Sequence, residues 1–354
     1  MTPNLLIKKD ALLQNLQTLK SLTAMHGVSM SLATKGLVGH EGLVRLLVQN
    51  GADSICETHI QNLIKFKDIP VEKWLIRSPL ISEADTTVNF ADVSLVSEMS
   101  ILKELSKAAA RQERTHKIIL MLELGELREG CMPDELPVLS EAAHRLPGLE
   151  LYGIGANLSC FYEIVPDENN MRALVEAAEK IRKTLDIDLQ IISGGASSSL
   201  KMLAEGRLPS AVNHLRIGEA VLLGNIVCYD VPYEWARTDA FTLNAEIMEV
   251  KEKPSLPWGE RAQAAPPQAT DNAPLDRGLR KRALIAIGTQ DVRPEHLIPL
   301  DPKLEIIGAT SDCLITDVTG CDTDYSVGDT VSFRLRYGGL LSLMASAYVE
   351  KILV

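Results

Sequence analysis

The chain has 354 residues, 46% of them hydrophobic, and a formal net charge of −11; a chain of this length can bury a large core and is typical of about two domains. The acidic balance, without a clustered basic face, argues against a nucleic-acid partner. No apolar run is long enough to span a membrane, and the opening residues MTPNLLIKKD lack the apolar segment of an export signal, so we expect a cytoplasmic protein.

The first part of the chain alternates between short apolar segments and segments with helical periodicity. Asn4 to Ile7 predicts an opening strand, and a helix is predicted from about Asp10 to Leu22. Eight further strands are predicted at 28–35, 53–57, 74–78, 92–97, 117–124, 150–157, 189–194 and 214–219. Helices are predicted between them at 40–50, 60–67, 99–111, 134–144, 168–185 and 197–205. This alternation predicts a closed (β/α)8 barrel of the TIM type rather than an open doubly wound sheet.

The pattern changes after residue 230, where β-rich segments and glycine-containing turns replace the helices. These segments are predicted as strands at 241–250, 283–287, 304–308, 313–318 and 330–335. We therefore predict an α/β barrel over residues 1–233 and a mostly antiparallel C-terminal β domain over residues 234–354. Residues 254–280 lack periodicity and predict an exposed loop. The six cysteines have no paired spacing, which favours reduced thiols over disulfides or a zinc site.

The first predicted barrel strand, Val28 to Gly36, brings a single lysine, Lys35, to its carboxyl end. In a barrel of this type, catalytic groups lie at the carboxyl ends of the strands. A buried lysine more readily holds the neutral amine that attacks carbonyl compounds. A lysine that simply extends from the strand end into water is the alternative.

A second candidate site follows strands seven and eight of the barrel, where such folds frequently bind phosphate. Ser193, Gly194, Ser197 and Ser198 join the seventh strand to a helix; glycines allow close approach, and the first helical amides can bind an anion. An ordinary turn with a serine helix cap is the alternative. The eighth strand adds Gly218, whose amide could reach the same phosphate. A lysine and a phosphate cradle together predict pyridoxal 5′-phosphate as the cofactor.

These motifs resemble those of the alanine racemase-like group of pyridoxal-phosphate enzymes, and most closely its ornithine and broad amino-acid racemase branch. The resemblance covers nearly the whole chain. Its most specific segments are ATKG at 33–36, LGELREG at 124–130, ISGGASSSL at 192–200, LRIGEA at 215–220, KRALIAIGTQDV at 281–292 and GATSDCLITDV at 308–318. The resemblance implies a homodimeric racemase with shared active sites, which interconverts the L and D forms of a free amino acid by two-base proton transfer at Cα.

The resemblance also implies roles for individual residues. Lys35 would bind the cofactor covalently and act as one of the two acid/base groups. Arg216 matches the arginine that faces the pyridine nitrogen, and Glu219 follows it among the cofactor-binding residues. Because a guanidinium keeps its proton, the ring nitrogen would stay unprotonated and the carbanion would be less delocalised. A structural ion pair between Arg216 and Glu219 is the alternative.

Three more residues match family positions near the cofactor or the substrate. Arg128 corresponds to an arginine near the substrate carboxylate, Asn157 to a polar group beside the ring, and Tyr348 to a tyrosine on the phosphate. The alternatives are a surface ion pair of Arg128 with Glu126 or Glu129, a strand-end cap at Asn157, and a packed tyrosine at position 348.

The second catalytic base of the classical alanine racemases, a tyrosine, has no counterpart here. The matching residue is Thr289, a poor general base, while Met121 and Gly39 replace a family lysine and a phosphate-binding tyrosine. The best candidate for the missing base is Cys313, contributed across the dimer interface. A thiol can exchange a proton at Cα when nearby positive charge stabilises its thiolate; an inert cysteine is the alternative.

Two acidic residues could select the substrate. If Asp312 and Asp291 line the pocket, they favour a cationic side chain such as that of ornithine or lysine over an alanine-like one. The substrate stays open at this point among ornithine, lysine and an alanine-like amino acid.

Two other functions stay open. A decarboxylase of the same fold would carry a cysteine where Ser311 stands and an acid where Arg216 stands, so both residues argue against it. A non-catalytic pyridoxal-phosphate carrier would end after the barrel, whereas this chain continues into a β domain.

Overall fold

The structure of the protein is a computed structural model that describes residues 2–229, 231–260 and 276–354. The chain divides into a barrel unit, Leu12–Arg237, and a β unit, made of Met1–Ala11 together with Thr238–Val354. The first two elements are the strand β1 (Asn4–Ile7) and the helix α1 (Lys9–Met25). Among the described residues, no helix combines the length and apolar character that crossing a lipid bilayer requires.

The barrel unit is built on eight parallel strands that close into a barrel in sequence order. The strands are β2 (Ser29–Ala33), β3 (Ser54–Glu57), β4 (Glu72–Leu75), β5 (Val93–Val96), β6 (His116–Met121), β7 (Leu149–Gly155), β8 (Ile191–Ala196) and β9 (His214–Ile217). The ring closes where β2 pairs with β9, with Ser31 opposite Arg216. The predicted barrel is confirmed, and each of its eight strands overlaps a predicted segment.

Helices connect the strands and cover the outside of the barrel. They are α2 (Glu41–Gln49), α3 (Ile60–Lys65), α4 (Ala84–Phe90), α5 (Met99–Arg111), α6 (Leu136–Arg145), α7 (Glu168–Leu185), α8 (Leu200–Ala204) and α9 (Glu219–Leu222). A short antiparallel ribbon, β10 (Asn225–Ile226) and β11 (Val231–Pro232), follows α9. The periodicity does not predict α4, because its seven residues include two adjacent β-branched threonines.

A core cluster joins side chains from six of the barrel strands. Trp74 of β4 is 1% exposed and is the largest of these side chains, and Met121 of β6 lies in the same cluster. The other members are Ala33, Cys56, Val93, Leu95, Ile119 and Ile191. Met121 therefore serves packing in this chain.

The β unit holds a sheet of eight strands. After β1, its strands are β12 (Phe241–Pro254), β13 (Leu279–Ile285), β14 (Leu297–Pro299), β15 (Glu305–Ala309), β16 (Leu314–Asp317), β17 (Thr330–Leu335) and β18 (Glu350–Leu353), with the helix α10 (Tyr337–Ala345) before β18. The strand order is β14-β17-β12-β13-β16-β15, and β1 lies between β12 and β18. All pairs are antiparallel except β1 with β18, so the predicted mostly antiparallel domain is confirmed.

The division of the chain differs from the predicted boundary between residues 233 and 234. Because β1 pairs with β12 and β18, residues Met1–Ala11 belong to the β unit, whose second part begins at Thr238. The two ends of the chain meet in this pairing, so local sequence patterns carry no signal for it. In the predicted loop at 254–280, β12 reaches Pro254 and β13 starts at Leu279, while residues 261–275 lie outside the described ranges.

Candidate active site

Lys35 lies in a 3-10 turn, Thr34–Leu37, that directly follows β2. The strand ends at Ala33, two residues earlier than predicted, and Lys35 is half-buried at the carboxyl end of the barrel strands. The turn is held from β3: the Thr34 hydroxyl donates to Glu57 Oε1 at 2.8 Å, and Asn62 Nδ2 donates to Glu57 Oε2 at 3.1 Å. A buried carboxylate therefore fixes the backbone that carries the candidate catalytic amine.

Two carboxyl groups lie within electrostatic reach of Lys35. Glu57 is 0% exposed, and burial raises its pKa, against the effect of its hydrogen bonds and of the Lys35 ammonium. Burial likewise raises the pKa of Glu219 to about 7, again opposed by Lys35. Lys35 thus has one neighbour, Glu219, whose protonation changes near neutral pH, as suits a residue that exchanges protons.

Arg216, on β9, is buried with 3% exposure. Its Nη1 donates to the Ser193 hydroxyl, and its Nη2 donates to the Ala156 carbonyl at 2.8 Å. Burial lowers the pKa of Arg216, while the Cys56 thiol and the Glu129 carboxylate act against this. A guanidinium stays charged even so, and its remaining N–H groups can serve an acceptor in the barrel mouth.

The segment after β8 and the end of β9 lie against each other. The Ser197 hydroxyl accepts from the amides of Gly218 at 3.2 Å and Ala220 at 3.4 Å. A Cβ at position 218 would lie 3.0 Å from both the Cβ and the oxygen of Ala33, so glycine allows this approach to the end of β2. Ser198 is 5% exposed and donates to the Leu158 carbonyl at 3.3 Å.

This arrangement fits the phosphate group of pyridoxal 5′-phosphate, because the Ser197 hydroxyl has a proton to donate and Gly218 allows close approach beside the strand that leads to Lys35. Two members of the predicted cradle have other contacts. Ser193 is bonded to Arg216 and His214, and a Cβ on Gly194 would lie 2.5 Å from Val212 Cγ1. Ser197 accepts in both of its described hydrogen bonds, so its hydroxyl proton can be donated to an anion, whereas the Gly218 amide and the Ser198 hydroxyl already donate within the protein.

The loops after β6 and β7 are organised by Glu126, which is 1% exposed. Its carboxylate accepts from the backbone amides of residues 159, 160, 161, 162 and 164. Arg128 pairs with Glu129, the arrangement predicted as the alternative to substrate binding, and the charges of both residues act on Arg216. Asn157 Nδ2 donates to Cys160 Sγ at 3.3 Å. The Arg128 pair and Asn157 therefore border the same barrel mouth as Arg216.

In the β unit, two loops join three of the predicted residues. The amides of Thr289 and Gln290 donate to the carbonyls of Thr310 and Ser311, both at 2.9 Å. A Cβ at Gly288 would lie 2.4 Å from the Asp312 amide nitrogen, so glycine is required there. This contact brings the segment of Asp291 beside the turn that carries Asp312 and Cys313.

The three residues are reachable from solvent to different extents. Cys313 is half-buried, and the hydroxyls of Thr310 and Ser311 lower the pKa of the Asp312 carboxyl, with Thr310 contributing most. Asp291 accepts from the Ser346 hydroxyl at 2.6 Å. Tyr348 is 69% exposed, which differs from the alternative of a tyrosine packed in the β domain.

Sequence patterns miss several groups that shape the site. Glu57, Glu126 and His214 each act through partners on other elements, so no local spacing reveals them. A charged or polar residue inside a short apolar strand, as in the segments SICE and HLRI, is the signal that could have pointed to two of them.

The geometry defines a class: a closed parallel barrel with a half-buried lysine after its first strand and a serine–glycine cradle after its last two, joined to an antiparallel β unit. Residues 7–225 match the family model described as the N-terminal domain of alanine racemase. The chain belongs to the alanine racemase family.

Two relatives match along their full length. The chain is 39% identical to the ornithine racemase of Acetoanaerobium sticklandii, with 100% of both chains covered. It is 34% identical to the lysine racemase of Thermotoga maritima, with 99% of this chain and 98% of the relative covered.

Solved structures of alanine racemases share the fold. The enzyme from Streptomyces lavendulae gives a TM-score of 0.77 at 18% identity and covers 100% of this chain and 98% of its own. The enzyme from Bartonella henselae, with covalently bound pyridoxal phosphate, gives a TM-score of 0.77 at 16% identity and covers 100% of both chains.

Proposed function

We propose that the protein is a pyridoxal-phosphate-dependent racemase that interconverts the L and D forms of a free diamino acid, such as ornithine or lysine. The observation that carries the proposal is the convergence of Lys35, Arg216 and the Ser197–Gly218 contact on adjoining strands of one barrel. The full-length similarity to an ornithine racemase and a lysine racemase supports it. The protein is accordingly an isomerase.

The barrel unit would hold the cofactor through three groups. Lys35 would bind its aldehyde carbon, Arg216 would donate to its ring nitrogen, and the Ser197 hydroxyl would donate to its phosphate, with Gly218 leaving room for it. When bound, the cofactor supplies an electron sink that acidifies the substrate Cα–H. Because Arg216 keeps its proton, it donates a hydrogen bond without transferring a proton to the ring. The site thus favours return of a proton to Cα over side reactions.

The proton chemistry needs one group on each face of Cα. Lys35 takes or returns the proton on one face. Its positive charge favours the ionised forms of the neighbouring Glu219 and Glu57 carboxyl groups. Cys313 of the partner subunit is proposed for the other face. The thiol is half-buried in a turn fixed by hydrogen bonds, so it is both accessible and held in place. The homodimer and the cytoplasmic location stay predictions.

The preference for a diamino acid rests on charge. Asp312 and Asp291 are carboxylates of neighbouring loops, and Asp312 is kept ionised by the hydroxyl groups beside it. A pair of carboxylates attracts the second ammonium group of a diamino acid, whereas the uncharged methyl group of alanine gains no such attraction. We therefore expect ornithine and lysine to be better substrates than alanine.

An isotope-exchange screen tests the proposed function. The enzyme loaded with pyridoxal phosphate is incubated with single enantiomers of ornithine, lysine and alanine in heavy water, and Cα deuterium, optical inversion and carbon dioxide are measured. Deuterium incorporation with inversion supports a racemase. Release of carbon dioxide would indicate a decarboxylase, and cofactor binding without any exchange would indicate a carrier.

A further inference from the structure

The floor of the barrel contains a continuous chain of hydrogen bonds of which the proposed function uses only the last residue, Arg216. It joins Ser54, Ser31, His214, Ser193 and Arg216, and we call it the basal chain. Ser54 Oγ lies 2.5 Å from Ser31 Oγ, Ser31 Oγ lies 2.8 Å from His214 Nε2, and His214 Nδ1 lies 2.9 Å from Ser193 Oγ. Ser193 Oγ in turn accepts from Arg216 Nη1.

One end of the basal chain opens into a cavity at the amino-terminal ends of the strands, opposite to Lys35. The cavity has a volume of about 310 Å³ and is lined by Ser31, Ser54, Trp74 and His214, among others. The His214 ring stacks on Trp74 with centroids 4.5 Å apart and an interplanar angle of 10°. The imidazole is thus held by one stacking contact and two hydrogen bonds, while the other end of the chain reaches Arg216.

The donor inventory fixes the direction of the bonds between Arg216 and His214. Arg216 can only donate, so Ser193 Oγ accepts from it and has one proton left to give. That proton has an acceptor if His214 Nδ1 is unprotonated. The proton of neutral His214 then lies on Nε2 and is donated to Ser31, whose hydroxyl is also bonded to Ser54. In the opposite tautomer, with the proton on Nδ1, both His214 and Arg216 would donate to Ser193. The buried Ser193 hydroxyl proton would then have no acceptor among these partners.

The charges around His214 support a neutral ring. Burial lowers the pKa of His214 to about 3, and the Arg216 guanidinium on the same strand adds to the shift. Lys20, Asp53 and Glu72 also line the cavity. Lys20 pairs with Asp53 at 3.1 Å, and Glu72 accepts from Trp74 Nε1 at 2.8 Å and from Lys117 Nζ at 2.9 Å. These carboxylates are therefore occupied by partners other than His214.

We propose that His214 is a positioning residue, which acts as the neutral Nε2–H tautomer and fixes the Arg216 guanidinium through Ser193. This inference rests on the proposed function in so far as Arg216 serves the cofactor ring. His214 keeps the Ser193 lone pairs turned toward Arg216, and the Ala156 carbonyl holds the second nitrogen at 2.8 Å. The remaining N–H donors of the guanidinium are thereby aimed at a fixed place.

Nitrogen NMR of the holoenzyme reads the tautomer directly. The protein is labelled with ¹⁵N-histidine and loaded with pyridoxal phosphate, and long-range ¹H–¹⁵N correlations are recorded from about pH 5 to about pH 8. The His214 signals are assigned by their loss in His214→Asn. We expect the neutral Nε2–H pattern throughout this range. A proton on Nδ1, or an imidazolium within the range, would overturn the inference.

Variants test the positioning role by cofactor spectroscopy. We expect Ser193→Ala and His214→Leu to change the absorbance of the bound cofactor and its pH profile in the same way. Each should weaken cofactor binding about tenfold, the effect of losing one hydrogen bond to a charged group. The double variant should match either single variant, because both act on one chain of bonds. His214→Asn keeps an acceptor near Nδ1 and should restore part of the spectrum.

His116→Leu is the matched control. His116 is a second buried histidine, 1% exposed on β6, and its Nε2 lies 2.9 Å from the Ser94 hydroxyl, a bond that does not reach Arg216. We expect it to leave the cofactor spectrum unchanged. Equal spectral changes in His116→Leu and in Ser193→Ala would contradict the positioning role. An Nε2–H signal in a holoenzyme that exchanges no Cα hydrogen would support the tautomer and contradict the proposed racemase.

Discussion

The candidate residues of the barrel unit and those of the β unit are held in different ways. Ser193, Ser197 and Arg216 are at most 3% exposed, and their hydrogen bonds join different strands and loops of the barrel, 21 to 60 residues apart in the sequence. Asp312 and Cys313 are stabilised by Thr310 within one exposed turn. Hydrogen bonds between elements fix the barrel side chains before any ligand binds. The β-unit side chains lie on one exposed turn, where a ligand or another protein surface can reach them.

This contrast predicts that substitutions in the two units impair different steps. Changes in the barrel should impair cofactor binding, because the same bonds that hold the side chains build the binding site. Changes at the β-unit turn should spare cofactor binding and affect proton transfer or substrate choice.

The largest effect is expected for Lys35→Ala. Loss of the amine should abolish the visible absorbance of the covalently bound cofactor and reduce Cα exchange by roughly 10³-fold or more, since a covalent anchor and an acid/base group disappear together. Absorbance spectra and deuterium exchange measure the two losses. The exposed Lys67 on the same barrel provides the control variant, Lys67→Ala. Retained absorbance in Lys35→Ala would remove Lys35 from the site.

The next largest effect separates the two units. Cys313→Ala should keep the cofactor absorbance and slow turnover by about 10²-fold or more, in one direction more than in the other, because only one face of Cα loses its acid/base group. Initial rates from each enantiomer measure this asymmetry. Cys321→Ala removes another half-buried thiol of the β unit and should leave both rates unchanged. Equal rates with and without Cys313 would exclude it.

A smaller, structural effect tests the loop contact of the β unit. Gly288→Ala places a methyl group 2.4 Å from backbone atoms of Ser311 and Asp312, so we expect a loss of roughly 3 kcal/mol in the free energy of unfolding and lower activity. Urea unfolding measures the loss. Gly308→Ala meets no atom within 4 Å and is the matched control. Similar stabilities of the two variants would show that the contact is not needed.

The smallest effect concerns pH. The pKa of Glu219 is raised by burial from 4.5 to about 7, so the folded state holds a proton that the unfolded state loses as pH rises between these values. This stabilising contribution is complete below about pH 4.5 and is lost above about pH 7. Relative to Glu219→Gln, the wild-type free energy of unfolding should fall by about 1–2 kcal/mol across this range. Parallel pH curves for the two proteins would contradict the shift.

The sequence was sufficient for the barrel because each strand and helix repeats a local period, and the barrel rule then places Lys35 and the Ser197 segment at one end. Gly218 could be found for the same reason, since it directly follows the last strand, whereas the role of Arg216 came from the resemblance to the racemases. The Ser193 contacts could not be predicted, because they depend on how β8 and β9 face each other. A register shift between Ser193 and Ala196 sets that relation, and Gly195, with φ of +104°, lies within it.

Other features depend on contacts between distant parts of the chain. Glu57 is important only because Thr34 and Asn62 lie beside it in the fold. The assignment of β1 to the β unit depends on pairing with β12 and β18 near the other end of the chain. Such relations have no local period, so pattern analysis does not detect them.

The central claim is that this barrel racemises a diamino acid with its cofactor on Lys35. The most direct test starts with pure L-ornithine and holoenzyme in heavy water and follows both enantiomers by chiral chromatography with mass spectrometry. We expect D-ornithine to form until the enantiomers are equal, with deuterium at its Cα. Ornithine that keeps its configuration and its Cα hydrogen, in enzyme with full cofactor absorbance, would contradict the account.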